Sequence, residues 1–206
     1  MEDHRTFALP PALWDDFVER SWERAPTVIK QPFGAPIASP DEVFGAMAAA
    51  VQAHLRANLE RRAPRIRLVR FFEEGAEIIT DLPERLPAPA DGGAAGYFAR
   101  VERQLGGRPF ELVVSEVQEH ALPVWPRLRQ FVHGLVRRVG LPAARANVYS
   151  FLRTQQRTSL GMHRDDLSVF LFVIAGKKRI LTWPEAEMRG REGLLPTARY
   201  DAFRRE

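Results

Sequence analysis

The side chains with the clearest potential for chemistry are a histidine and an aspartate separated by one residue, His163 and Asp165. On an extended backbone, residues two apart project from the same face, so an imidazole nitrogen and a carboxylate oxygen would lie side by side. Such a pair supplies two ligands of the two-histidine, one-carboxylate set that binds non-haem iron(II) and leaves positions open for a co-substrate and oxygen. Asp166 would project from the opposite face, which favours Asp165. A surface hydrogen-bonded pair is the common alternative for so short a motif.

The segments on either side of this pair are predicted to be β-strands. Residues 147–152 alternate between apolar and polar positions. Residues 167–174 are apolar at almost every position, which is typical of a strand buried on both faces. Ala175 and Gly176 permit a tight turn, and residues 178–183 are then predicted to return as the partner strand.

Helices dominate the part of the chain that precedes these strands. Apolar residues at helical spacing predict helices, and Gly75 marks the turn of a strand pair. The predicted helices cover 10–23, 40–59, 97–105 and 126–139, the strand pair covers 65–80, a further strand covers 110–114, and 83–96 is a loop. The sequence therefore predicts an α+β fold, with helices and strands in residues 1–145 and the first half of a β-sandwich or barrel in residues 146–206.

Composition excludes several classes of protein. With 45% apolar and 27% charged residues among 206, the chain has the balance of a soluble globular protein. The absence of cysteine excludes disulfides and thiolate metal sites. No secretory signal pattern opens the chain, and its longest apolar run, 169–175, is too short to cross a membrane, so we expect a cytoplasmic protein.

The net charge of +4 raises the question of nucleic acid. The densest basic cluster comprises Arg56, Arg61, Arg62, Arg65, Arg67 and Arg70. We interpret it as a solvated helix end and strand edge, because most basic residues elsewhere alternate with acids. Nucleic-acid binding is the less favoured alternative.

The stretch around the His-x-Asp motif resembles the core of JmjC-type cupin oxygenases, in the branch that includes asparaginyl and ribosomal-protein hydroxylases. The resemblance rests on Asn147-Val148-Tyr149, on His163-Arg164-Asp165 with the apolar segment after it, and on Gly176-Lys177-Lys178-Arg179 followed by Trp183-Pro184. A weaker similarity covers the tryptophan-bearing first helix and Arg24 to Ile29. The resemblance implies a double-stranded β-helix (jelly-roll) core, iron(II), 2-oxoglutarate as co-substrate, and hydroxylation of an amino-acid side chain in a protein, a peptide or a free amino acid.

The resemblance also implies roles for individual residues. Lys178, fifteen residues after His163, corresponds to the family's lysine that binds the distal carboxylate of 2-oxoglutarate. Tyr149 would donate its hydroxyl to the same carboxylate or, as an alternative, belong to the core. Thr158 and Ser159 lie near the position of a threonine in some relatives. The position three before the metal histidine is Leu160, which departs from that pattern.

The family's third metal ligand is a histidine that follows a Pro-Gly-Asp turn, and no histidine follows His163 here. The remaining histidines, His4, His54, His120 and His133, are expected to be surface or hydrogen-bonded residues rather than ligands. Of two interpretations, we favour the one in which this chain is part of a longer enzyme, and the other is that it is a natural short form. The alternative function is a non-catalytic cupin-like binding or scaffold module, and homodimer formation is left open.

Overall fold

A computed structural model describes residues 7, 9–59, 69–78, 83–143, 146–159, 163, 165 and 167–190. The α-helices are α1 (Pro11–Arg20), α2 (Pro40–Leu59), α3 (Ala94–Leu105), α4 (Trp125–Val139) and α5 (Glu185–Met188). The β-strands are β1 (Val69–Glu73), β2 (Ala76–Ile78), β3 (Phe110–Val114) and β4 (Ser150–Arg153). Single turns of 3-10 helix cover Pro83–Arg85, Pro89–Asp91 and Val117–Glu119.

Helix and strand are mixed as an α+β fold requires, which confirms the predicted class at this level. The bounds of α2 and β3 are those predicted from the sequence. Helix α3 begins three residues before its predicted start, because Gly93 and the turn at Gly92 end the preceding loop earlier than Tyr97. None of the described helices is both long and apolar enough to cross a membrane.

In the described part of the chain the strands form one antiparallel sheet in the order β2-β1-β3-β4. The hairpin between β1 and β2 turns through Glu74 (φ 49°) and Gly75 (φ 82°). Two consecutive positive φ angles fit the tight hairpin turn whose twist matches that of the flanking strands. Since β4 pairs with β3, the sheet joins the two parts of the chain that the sequence divides at residue 145.

The two faces of the sheet have different chemistry. Phe71 and Leu112 lie on one face and pack with Met47 of α2 and Tyr97 of α3 in the main core. Charged residues share the opposite face with apolar ones, of which Phe72 and Val113 are buried and Phe151 is exposed. The members of this face are Arg70 and Phe72 of β1, Glu111 and Val113 of β3, and Phe151 and Arg153 of β4. All five residues of β3 are buried, so this strand is covered on both faces. A polar site can therefore be built on the face opposite the helices.

A second core cluster joins α1 to α4. Trp14 is 2% exposed, and its ring lies 5.1 Å from that of Phe131. Phe131 in turn lies 5.1 Å from both Phe170 and Phe172, with ring planes nearly perpendicular in each case. These contacts attach the segment 167–174 to the helices by one side only.

The prediction that residues 167–174 form a strand buried on both faces is wrong. Leu167, Val169 and Val173 are 69%, 65% and 52% exposed. The segment does not form a β-strand, and among the described residues no strand pairs with it. Every second side chain packs inward and the intervening ones face solvent, so the run is apolar on both sides although only one side is covered. Apolar periodicity reports which residues favour burial, not whether a second layer is present.

The predicted partner strand, residues 178–183, is also absent as a strand. Glycine at position 176 has φ 76°, so the chain does turn where the sequence places the turn. After the turn, Ile180, Leu181 and Trp183 are 58%, 67% and 48% exposed. The two segments therefore share a turn but not a ladder of hydrogen bonds.

The close packing of α1 on α4 provides a stability prediction. A Cβ atom added at Gly134 of α4 would lie 2.8 Å from Cε2 of Trp14 and closer still to its Nε1. Gly134→Ala should therefore destabilise the fold by about 1–3 kcal/mol, because overpacking a rigid indole costs more than helix propensity returns. Chemical denaturation measures this change. Gly45→Ala in α2 is the matched control, since its Cβ meets nothing within 4 Å and should leave stability unchanged or raised. A Gly134→Ala protein as stable as the control would contradict the packing.

Candidate functional site

The side chains of His163 and Asp165 lie next to each other. The distance from His163 Nε2 to Asp165 Oδ1 is 3.7 Å. The imidazole is 24% exposed and the carboxylate 51%, so both are accessible from solvent. This distance is within the range of an ion pair and longer than a direct hydrogen bond between the two atoms, so it fits a surface pair as well as two neighbouring metal ligands.

The same distance is compatible with a shared metal ion. Two donor atoms each about 2.1 Å from one ion lie about 3 Å apart when they subtend a right angle. A separation of 3.7 Å therefore needs only a small rotation of one side chain to reach that geometry. Within the residues that the structure describes, however, no third histidine, aspartate or glutamate completes a metal-binding cluster. The chemistry of the pair fits a divalent cation, but the pair supplies only part of a ligand set.

Lys178 lies on the face of the sheet that carries Arg70, Glu111 and Arg153, which we call the polar face. Its Nζ is 5.1 Å from the centre of the Phe151 ring, an arrangement in which the ring face attracts the cation. Partial burial, and next the positive charge of Arg153, lower the pKa of Lys178, while the charge of Glu111 acts in the opposite direction. More than a third of the residue is still accessible, so a solute can reach the ammonium group. Lys178 is thus a cation held in a partly dry, aromatic-lined position.

Tyr149 is exposed rather than part of the core. It is 48% accessible and precedes β4 by one residue. If the alternation of the strand continues, Tyr149 lies on the same side as Phe151 and Arg153, which is the side that Lys178 covers. The alternative interpretation of Tyr149 as a core residue is wrong, because the residue is exposed.

Ser159 belongs to a hydrogen-bonded cluster on this face. Its hydroxyl accepts a hydrogen bond from Gln155 Nε2, and its backbone N–H donates to Glu111 Oε2 over 3.0 Å. Thr158 is exposed beside it. Leu160, which departs from the family pattern, and Asp166, the less favoured ligand, lie outside the described residues. The roles of Ser159 and Thr158 in co-substrate binding stay predictions.

Glu111 is a residue of the candidate site that the sequence did not single out. It is 2% exposed although it is charged, and it lies in the middle of β3. Gln155 Nε2 donates to its Oε2 over 2.7 Å, and Arg153 Nη1 lies 3.8 Å from its Oε1. A single acid inside the otherwise apolar strand Phe-Glu-Leu-Val-Val was the available signal. Buried carboxylates persist where they are paired and hydrogen-bonded, as here.

Among the other residues considered from the sequence, two histidines lie on helices and Arg70 shares this face of the sheet. His54 is on α2, and His133 is an exposed residue of α4. In the basic cluster, Arg70 makes two hydrogen bonds to Glu77 on the neighbouring strand and stacks on Phe72. The remaining members of that cluster between residues 60 and 68, and His4, lie outside the described residues. Arg70 is therefore engaged in the sheet itself.

No known protein family matches this chain, and no curated protein or solved structure is significantly similar to it.

Proposed function

We propose that this chain carries part of the active site of an iron(II)- and 2-oxoglutarate-dependent hydroxylase that acts on an amino-acid side chain of a protein, a peptide or a free amino acid. The observation that carries the proposal is the placement of His163 Nε2 and Asp165 Oδ1 at 3.7 Å, side by side and open to solvent. When bound, iron supplies the activation of oxygen that couples hydroxylation to the conversion of 2-oxoglutarate and O2 into succinate and CO2.

In this proposal the chain's own residues bind and orient the reactants. His163 and Asp165 bind the cation, and the carboxylate reduces its net charge. Lys178 receives the distal carboxylate of 2-oxoglutarate, an interaction that strengthens where water is partly excluded. Tyr149 is a second donor for that carboxylate, because it is exposed and lies two residues before Phe151, over which Lys178 is placed.

The proposed fold is a double-stranded β-helix of the cupin type, of which the antiparallel sheet β2-β1-β3-β4 forms one layer. Two observations support this. The sheet carries a polar face opposite the helices, and the segment 167–174 presents Leu167, Val169 and Val173 to solvent. A second layer packed on those side chains would complete a sandwich and bury them.

A two-ligand site should bind metal weakly, so the test has to detect weak binding. We expect Mn(II), used as an air-stable substitute for iron(II), to raise the affinity of the purified chain for 2-oxoglutarate, because the keto-acid end chelates the ion. Isothermal titration calorimetry with and without Mn(II) measures this effect. Glutarate is the control, since it has both carboxylates but no keto group and should gain nothing from the metal.

The same titration separates the proposal from a non-catalytic scaffold module. A scaffold that keeps only the framework would bind neither Mn(II) nor 2-oxoglutarate, and equal behaviour of 2-oxoglutarate and glutarate would count against the oxygenase. Iron(II)-dependent formation of succinate in the presence of O2 and ascorbate, measured by chromatography, is the second readout. It requires no knowledge of the hydroxylated substrate, because ascorbate then supplies the two electrons and two protons that convert the second oxygen atom of O2 into water.

A further inference from the structure

The carboxylate of Glu111 connects the parts of the candidate site. It lies on β3 and is 2% exposed. Its Oε2 accepts hydrogen bonds from the Gln155 side chain over 2.7 Å and from the backbone N–H of Ser159 over 3.0 Å. Both donors belong to the segment that leads from β4 toward His163. Glu111 therefore fixes the chain a few residues before the proposed metal ligands.

The other oxygen of Glu111 faces Arg153. Oε1 lies 3.8 Å from Arg153 Nη1, and the two residues are directly opposite each other on β3 and β4. Lys178 lies over Phe151, two residues before Arg153 on the same face. Two cations and one buried carboxylate leave this cluster with one net positive charge. A site with one excess positive charge suits one carboxylate group of a ligand.

We propose that Glu111 is a positioning residue of the 2-oxoglutarate site: it neutralises Arg153 and anchors the segment of Gln155 and Ser159, so that Lys178 is the cation left to meet the ligand. The use of this arrangement for 2-oxoglutarate rests on the proposed function. The electrostatic coupling among Glu111, Arg153 and Lys178 does not, and it can be measured without any ligand.

The lysine content of the chain makes that measurement direct. Lys30, Lys177 and Lys178 are its only lysines. Reductive methylation with 13C-formaldehyde gives each ammonium group its own NMR signal, and Lys178→Arg assigns the signal of interest. The pH at the midpoint of each signal's titration reports the charges around that lysine.

Opposite shifts in two variants are the expected result. Glu111→Gln keeps an acceptor for Gln155 and Ser159 but removes the charge, and should lower the Lys178 midpoint by roughly half a pH unit. Arg153→Gln removes a neighbouring cation and should raise the midpoint. Lys30 and Lys177 are internal controls whose midpoints should not move. A merely structural role for Glu111 would not produce shifts of opposite sign in these two variants.

A Lys178 midpoint that does not fall in Glu111→Gln, or that does not rise in Arg153→Gln, overturns the proposal. If Glu111→Gln does not fold, Arg153→Gln alone is the test. A Lys178 midpoint that stays the same or falls in that variant shows that the charges are not coupled and overturns the proposal. Binding of 2-oxoglutarate is scored separately by the calorimetry described above. Coupling without 2-oxoglutarate binding would reject the proposed function and retain the charge arrangement, whereas binding without coupling would reject only the role of Glu111.

Discussion

Replacing His163 with alanine should abolish divalent metal binding by this chain. The imidazole Nε2 is one of the two donor atoms that lie side by side, and its loss leaves a lone, half-exposed carboxylate at Asp165. A single carboxylate in water has little affinity for a transition-metal ion, since the ligands act together. Electron paramagnetic resonance of Mn(II) measures the effect, because the signal of the free ion falls when the protein binds it. We expect the fall seen with the unaltered chain to disappear in His163→Ala.

The matched control for this experiment is His133→Ala. His133 is exposed on α4 and is not one of the proposed ligands, so its loss should leave Mn(II) binding unchanged. Thermal unfolding followed by circular dichroism checks that both variants are folded. Equal Mn(II) binding by His163→Ala and by the unaltered chain would contradict the proposed metal site and the proposed oxygenase function.

Replacing Lys178 with alanine should weaken 2-oxoglutarate binding by about ten- to a hundredfold and leave Mn(II) binding intact. The estimate corresponds to the loss of one hydrogen-bonded charge pair. The retained metal affinity follows because Lys178 is proposed to contact the far end of the ligand and not the ion. Calorimetry in the presence of saturating Mn(II) measures both quantities.

Lys177→Ala is the control for this second experiment, since it removes the same charge from the adjacent exposed position. A similar loss of affinity in both variants would indicate a general effect of charge and not a specific contact. The pH dependence gives a further check. Binding should be complete while Lys178 is protonated and should be lost as the pH rises through its pKa, which partial burial and Arg153 place below the ordinary value for lysine.

Local patterns predicted individual elements well where one periodicity was strong. The helix Pro40–Leu59 begins at a proline followed by acids, and this combination favours a helix start whatever the helix packs against. The prediction of a turn at Gly75 was equally clear, because a tight turn requires a positive φ and glycine adopts this conformation without steric cost. In both cases the signal depends on residues close in sequence.

Predictions that required knowledge of a second layer failed. The segment 167–174 has the composition of a fully buried strand, yet Phe170 and Phe172 contact the aromatic cluster of α1 and α4 while Val169 and Val173 face solvent. Tyr149 is exposed although burial in the core was an open alternative. Burial depends on what another part of the molecule covers, and a one-dimensional pattern does not contain that information.

By itself the sequence determined the α+β class, the positions of most helices and the spacing that sets His163 beside Asp165. These follow from propensities, turn residues and the short separation of the two residues along the chain, all of which are local. Only the tertiary structure decided that Glu111, Arg153, Gln155 and Ser159 meet beside Lys178. Glu111 is 42 residues from Arg153 along the chain, and the register of β3 against β4 places them opposite each other. Long-range strand pairing selects such neighbours, and no local preference encodes them.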